Sequence, residues 1–219
     1  MYILEYMQNC VYLLKELSNM IAIITGDIIN SRAVAPNKWI VKLKDVLSSI
    51  GTEPKDWEIY RGDTFQLRIH PKHALHTSVL LKSSIKQYKK LDVRMAIGIG
   101  EIDYEGMKIT ESNGSAFIHS GECFDALKKD NLAIKTSNKQ FDKTINTMIS
   151  LAALTMDAWS PSVSEIISLS LENPTKKQIE LAKILNKSQS NISIALKRGG
   201  YEEILGLLNY YEYEISKIC

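Results

Sequence analysis

Apolar and polar residues alternate in blocks, and from Ile21 to Ile134 those blocks read as strand and helix in turn. Ile21-Ala22-Ile23-Ile24 is an unbroken apolar run ending in Thr25-Gly26-Asp27, which predicts a strand covered on both faces. From Pro36 to Ile50, the residues Trp39, Leu43, Val46, Leu47 and Ile50 recur at helical spacing, and Gly51 is placed to end that helix. Two extended runs, 57–60 and 65–69, flank Arg61-Gly62-Asp63-Thr64 and predict a hairpin with a tight tip. A second helix is expected over 71–90 and a strand over 93–99. A helix over 115–128 follows, with Phe117, Phe124 and Leu127 as its core residues, then a short strand over 132–134. The order βαββαβαβ predicts an α/β (α+β) fold, a mixed sheet with flanking helices.

After Phe141 the strand pattern stops. Phe141, Ile145, Met148, Ile149 and Ala152 mark one face of a helix reaching about Trp159, and Ser160-Pro161 reads as the cap and first turn of the next. Four stretches result: a helix-compatible opening over 1–19, an α/β unit over 20–140, a connector helix over 141–159, and an all-helical unit over 160–219. The opening carries Leu4, Met7, Val11, Leu14 and Leu17 along one side, without the basic leader or cleavage pattern of a signal peptide. Met20 stands as an alternative first residue.

Composition narrows the class. With 45% apolar and 24% charged residues, the chain can bury a core and is not globally disordered. No apolar run reaches the roughly 18 residues of a membrane span, so no membrane partner is expected. A net charge of +2 neither demands nor excludes nucleic acid. Three distant cysteines, Cys10, Cys123 and Cys219, exclude a disulfide framework and suit a cytoplasmic protein. His70, His73 and His76 lack a neighbouring carboxylate to complete a metal site, so a surface or helix-start role is expected.

The candidate chemistry lies at two strand ends. If the strands carrying Asp27 and Asp63 are neighbours, both carboxylates emerge at one sheet edge, and a divalent cation relieves their repulsion. Mg²⁺ or Mn²⁺ bound this way takes phosphate oxygens and water as its remaining ligands. The chain after Asp27 is expected to enter a helix, offering free N–H groups to a phosphate. This sets Asp27, Ile28 and Asp63 at the metal, and Asn30, Ser31, Arg32 and Gly62 around the nucleotide. Taken singly, each aspartate is an ordinary turn residue.

These residues carry a resemblance. Asp27-Ile28 after an apolar strand, Gly62-Asp63 in a hairpin, Ala96-Ile97-Gly98-Ile99-Gly100-Glu101-Ile102, and Gly114-Ser115-Ala116-Phe117 opening a helix resemble successive motifs of class III nucleotidyl cyclases. Arg61-Gly62-Asp63-Thr64-Phe65 is similar to the hairpin of diguanylate cyclases. From Ile21 onward, including Gly26-Asp27-Ile28-Ile29-Asn30-Ser31-Arg32 and the helical tail, the chain most resembles the bacterial SatD family. The cyclase resemblance implies an Asn and an Arg on the helix after residue 114. Ile118 and Glu122 stand there instead, and no Arg occurs over 114–129. Losing one such donor costs about 10²–10³ in rate, so the expectation is a ligand-binding domain that no longer cyclises.

Residues 175–196 read as two short helices with a sharp turn, resembling helix-turn-helix regulators in Leu-Ala-x-x-Leu followed by Ser-Gln-Ser-x-Ile-Ser. Leu181, Leu185, Ile192, Ala195 and Leu196 form the seam, Asn186 suits a left-handed turn, and Ser188 caps the second helix. Lys187 stands where such regulators carry an aliphatic residue. Ser188, Gln189, Ser190 and Asn191 begin the reading helix, with Lys176, Lys177, Lys197 and Arg198 placed for phosphates. Residues 175–200 hold six Lys or Arg against one acid, while 201–219 hold one Lys against four Glu, so positive charge gathers on the expected DNA-reading surface. The apolar stripe Tyr201, Ile204, Leu205, Leu208, Tyr211 and Ile215 serves the core, with an outer part suited to a homodimer.

The reading is thus a DNA-binding, regulator-like protein with a degenerate cyclase-like domain that binds a nucleotide, a divalent cation, or both. Two alternatives stay open. One is an active cyclase or nucleotidyltransferase in which Arg32, Arg61 or Arg94 supplies the missing cation, and the other is a protein-binding adaptor.

Overall fold

The computed structural model describes residues 20–219, so the opening over 1–19 lies outside the described residues. Five strands form one mixed sheet: β1 (Met20–Ile29), β2 (Trp57–Tyr60), β3 (Thr64–Ile69), β4 (Asp92–Glu101) and β5 (Leu132–Lys135). Their order is β2-β3-β1-β4-β5, with β4 and β5 parallel and every other pair antiparallel. β1 is central, which is why its apolar run is unbroken: alternate residues feed opposite faces. Ala22, Ile24 and Ile28 enter the main core, whereas Ile23 packs with Ile109 and Ala116 on the other side.

Eight α-helices accompany the sheet among the described residues. α1 (Pro36–Ser48) buries Trp39, Leu43, Val46 and Leu47, and α2 (Pro71–Ile85) stops five residues short of the expected end. α1 and α2 serve the main core, while α3 (Ser115–Ala126) covers the opposite face. Of the core residues expected on this helix, Leu127 is buried just past its end, but the two Phe are not its inward side. Phe117 and Phe124 are only half-buried, and the helix turns Ala116, Ser120 and Cys123 to the sheet. The reason is close approach: a Cβ on Gly98 would meet the Ser120 backbone nitrogen and the Ala116 carbonyl. Only small residues fit at such a separation.

The tail consists of α4 (Lys139–Met156), α5 (Pro161–Glu172), α6 (Gln178–Ile184), α7 (Gln189–Arg198) and α8 (Tyr201–Ile215). It does not hang apart from the sheet. One buried apolar cluster runs from Ala22 through α2 to Ile215, and α2 packs against both α5 and α8. The stripe on α8 faces this core, where Tyr211 donates its hydroxyl to the Pro71 carbonyl at 2.6 Å. A buried ionic knot ties the same layers together. Lys82, 1% exposed, reaches Asp92 and Asp157 at 2.7 Å each, and Lys86 bonds Asp92 and the Asp157 carbonyl. Asp157 sits at the C-terminal end of α4, so the knot joins α2, β4 and the connector.

Candidate functional site: a groove at one end of the central strand

Asp27 lies inside β1 rather than after it. Its antiparallel partners are Thr64 on β3 and Arg94 on β4, which places Asp63, one residue before β3, beside it. Asp27, Ile28, Asn30, Ser31, Arg32 and Asp63 line one groove of about 620 Å³, together with Arg94, Lys128 and Asn131. Gly62 stands at the hairpin tip with φ 92° and open space around it, and does not line the groove.

The local backbone differs from the expected phosphate cradle. Ile28 and Ile29 still pair with Val93 and Asp92, so the strand continues where a helix was expected. The Ile28 N–H is taken by the Asp63 carbonyl at 3.1 Å, which ties the hairpin tip to β1. Only a single 3₁₀ turn over Ser31–Ala33 follows, and the next helix begins at Pro36. A three-residue turn is too short to present a ring of free N–H groups, so side chains must do what the helix start was expected to do.

Among those side chains the cations Arg32, Arg94 and Lys128 outnumber the carboxylates Asp27 and Asp63. Arg94 holds Asp27 in a fork: Nε to Oδ1 at 3.1 Å and one terminal nitrogen to Oδ2 at 2.8 Å. Its guanidinium carbon lies 4.6 Å from the centre of the Phe124 ring, so one residue of α3 steadies the cation that faces the groove. The bonds to Asp27 raise the Arg94 pKa above its ordinary value, against a smaller opposing effect of burial. Asp63 accepts from Ser31 Oγ at 2.6 Å through Oδ2, leaving Oδ1 available. With Arg94 matched to Asp27, Arg32 and Lys128 outweigh Asp63, and an anion is favoured in the groove. Backbone strain gathers here too. Asn30 (φ 58°) and Lys128 (φ 43°) line the groove, Arg61 (φ 54°) lies in the hairpin tip, and Lys90 (φ 77°) accepts from Asn30 Nδ2.

The donor set suits a cation that arrives with phosphate. No group of three or more His, Cys, Asp or Glu gathers among the described residues in a way that would hold a metal. Mg²⁺ takes one or two carboxylates from protein when phosphate oxygens and water complete its shell, and Asp27 and Asp63 are the two carboxylates that line this groove.

Neither Ile118 nor Glu122 reaches this groove. Ile118 is 53% exposed on α3, and Glu122 pairs with Lys135 at 2.6 Å. Sequence reasoning missed Lys128 and Asn131 as groove residues. Their signal was weak, because they belong to the loop between α3 and β5 and reach the groove only through the parallel pairing of β5 with β4. The three histidines meet in a larger cavity of about 980 Å³ at the opposite end of β1, next to Met20. There His70 caps α2 by accepting from the Lys72 N–H.

In the tail, α6 and α7 are joined by four residues, with Asn186 at φ 50° and Ser188 accepting from the Asn191 N–H. Lys176, Lys177, Ser188, Gln189, Ser190, Asn191, Lys197 and Arg198 are all exposed. Gln189 Nε2 donates to Gln178 Oε1 at 3.1 Å, which holds the starts of the two helices side by side. Lys187 is occupied by Glu165 of α5 at 2.6 Å, so an ion pair replaces the usual apolar contact at the turn.

No helix of the described residues is long and apolar enough to cross a membrane. No curated protein matched the sequence. Among solved structures, the chain is similar to the active GGEEF domain of a diguanylate cyclase from Vibrio cholerae. The identity is 12% and the TM-score 0.39, over 59% of this chain and 90% of that one. The SatD family model matches residues 20–205, from the start of β1 into α8, and the chain therefore belongs to the SatD family.

Proposed function

We propose that this protein binds a nucleotide phosphate chain with Mg²⁺ or Mn²⁺ at the β1 groove, and contacts DNA through α6 and α7. Asp27 and Asp63 are the cation ligands, with the Ile28 carbonyl beside them. Asn30, Ser31, Arg32, Arg94 and Lys128 face the phosphates. The observation that carries this reading is the convergence of two carboxylates and three cations, from four separate chain segments, on one groove. Ile118 and Glu122 offer nothing to a transition state there, so the reading is of a ligand-binding site without cyclase activity.

The DNA part rests on the exposed polar start of α7 and the four flanking cations, which suit base edges and phosphates respectively. Leu151, 64% exposed on α4, lines a groove of about 660 Å³ together with Lys197 and Arg198, and Leu154 of the same helix is 76% exposed. A second copy docked there would set two reading helices side by side.

The experiment is a pair of titrations on the full chain: nucleoside triphosphates with Mg²⁺, and labelled duplex DNA across a salt series. Saturable nucleotide binding and a steep salt slope support the reading. One observation favours a second reading, an active nucleotidyltransferase: Arg32, Arg94 and Lys128 all line the groove and are of the right charge to replace the missing arginine. A cyclic or linked product in the same nucleotide incubation establishes it. Absence of any salt-dependent DNA binding leaves the adaptor reading for the tail.

A further inference from the structure

The Asp27–Arg94 fork puts a cation of the protein's own where the divalent ion is needed. Both carboxylate oxygens are bonded, Arg94 stacks on Phe124, and only Asp63 Oδ1 is left to an incoming metal. The pair is nevertheless part-exposed, Asp27 at 29% and Arg94 at 34%, and ion pairs so open to water are weak. Arg94 is therefore held in place but not locked. A phosphate in the groove offers its guanidinium a second fork-shaped partner of greater charge.

We infer that Arg94 is an exchangeable counter-ion. It occupies Asp27 while the groove is empty of ligand and passes to the phosphate when nucleotide enters, so that cation and nucleotide bind cooperatively and the free metal binds poorly. This rests on the proposed nucleotide site and adds its order of assembly. The exchange moves no proton and breaks no covalent bond, since a guanidinium trades one anion for another and the cation takes the vacated carboxylate.

Two variants acting in opposite directions test it. Mn²⁺ alone, followed by the electron paramagnetic resonance of the free ion, is titrated into the wild type and into Arg94→Gln. Inorganic tripolyphosphate in a metal chelator is titrated into the wild type and into Asp27→Asn by calorimetry. Removing one unit charge beside a divalent ion predicts about tenfold tighter Mn²⁺ binding to Arg94→Gln. Freeing Arg94 predicts tripolyphosphate binding to Asp27→Asn about threefold tighter or more. Circular dichroism establishes that each variant is folded. A variant that merely loosened the structure would weaken both ligands. Mn²⁺ binding that is unchanged or weaker in Arg94→Gln overturns the exchange while leaving the nucleotide site intact. Failure of the wild type to bind tripolyphosphate under any condition, with or without Mn²⁺, overturns both.

Discussion

Trp159 Nε1 donates to the Gly199 carbonyl at 2.9 Å, across forty residues, and so fastens the end of the connector to the end of α7. Both partners are buried, and Gly199 lies against Val163 and Ile167 of α5 so tightly that a Cβ there would come within about 3 Å of them. Trp159→Phe keeps the apolar surface but strands the carbonyl, and is expected to cost about 1–3 kcal/mol. Urea unfolding monitored by circular dichroism measures this, and a variant as stable as the wild type counts against the bond's role.

The ionic knot predicts a larger loss. Lys82 is 1% exposed between two carboxylates, so Lys82→Met takes the shared cation from both, leaving Asp92 to Lys86 alone and Asp157 without an ion-pair partner among the described residues. The expected cost is about 2–3 kcal/mol, read from the shift in urea midpoint. The double variant Lys82→Met with Asp157→Asn is expected to recover part of it, because the Asp157 carboxylate pairs with no other described cation whereas Asp92 keeps Lys86.

α3 lies on β4 through Gly98, where a Cβ would run into helix backbone that cannot swing aside. Gly98→Ala is expected to destabilise the fold by about 1–3 kcal/mol. Gly121→Ala, on the open side of the same helix where a Cβ meets nothing, is expected to be neutral or stabilising. Thermal unfolding of the pair separates close packing from helix propensity.

His76 titrates below the ordinary histidine value of 6.5, chiefly because of burial and secondarily because of His73, with Glu212 opposing. The folded state thus binds this proton more weakly than the unfolded chain does. Stability from His76 is fully present above about pH 6.5 and is lost as pH falls through the lowered value. Urea midpoints between about pH 5 and pH 7 should fall toward acid in the wild type and fall less in His76→Asn.

For the tail, replacing Lys197 and Arg198 by Ala is expected to reduce the slope of log affinity against log salt by about two, at every DNA sequence alike. Gln189→Ala is expected to leave that slope unchanged and to erode sequence preference instead. Equal losses from both variants on all sequences would place Gln189 outside the reading surface.

Much of this fold could be read from periodicity: apart from the helix expected directly after Asp27, where β1 continues to Ile29, the expected strands and helices between Ile21 and Ile215 have counterparts within a few residues. The errors share a cause. Helical spacing alone turns the large apolar residues inward, but on α3 the inward side is Ala116, Ser120 and Cys123, because Gly98 and Gly100 draw the helix onto the strand. A pattern along one element carries no record of how near its neighbour lies.

The groove was legible in part for the same reason. Asp27 and Asp63 follow from two strands that periodicity locates, and their adjacency follows from the β1–β3 pairing. The Asp27–Arg94 fork depends on which residue of β4 stands opposite, a matter of register across 67 positions of sequence. No local motif encodes it. Lys128 and Asn131 enter through a loop whose place is fixed only when β5 docks.

The most direct test of the groove is the affinity of a fluorescent nucleoside triphosphate for the wild type and for Asp63→Asn, each with Mg²⁺ and with chelator. Asp63 keeps one oxygen free for the ion, and the backbone carbonyl that ties its hairpin to Ile28 is untouched by the substitution. The account predicts that Mg²⁺ strengthens binding to the wild type by about tenfold or more and leaves Asp63→Asn almost unaffected. Equal affinity with and without Mg²⁺ in the wild type, or an undiminished Mg²⁺ effect in Asp63→Asn, would contradict it.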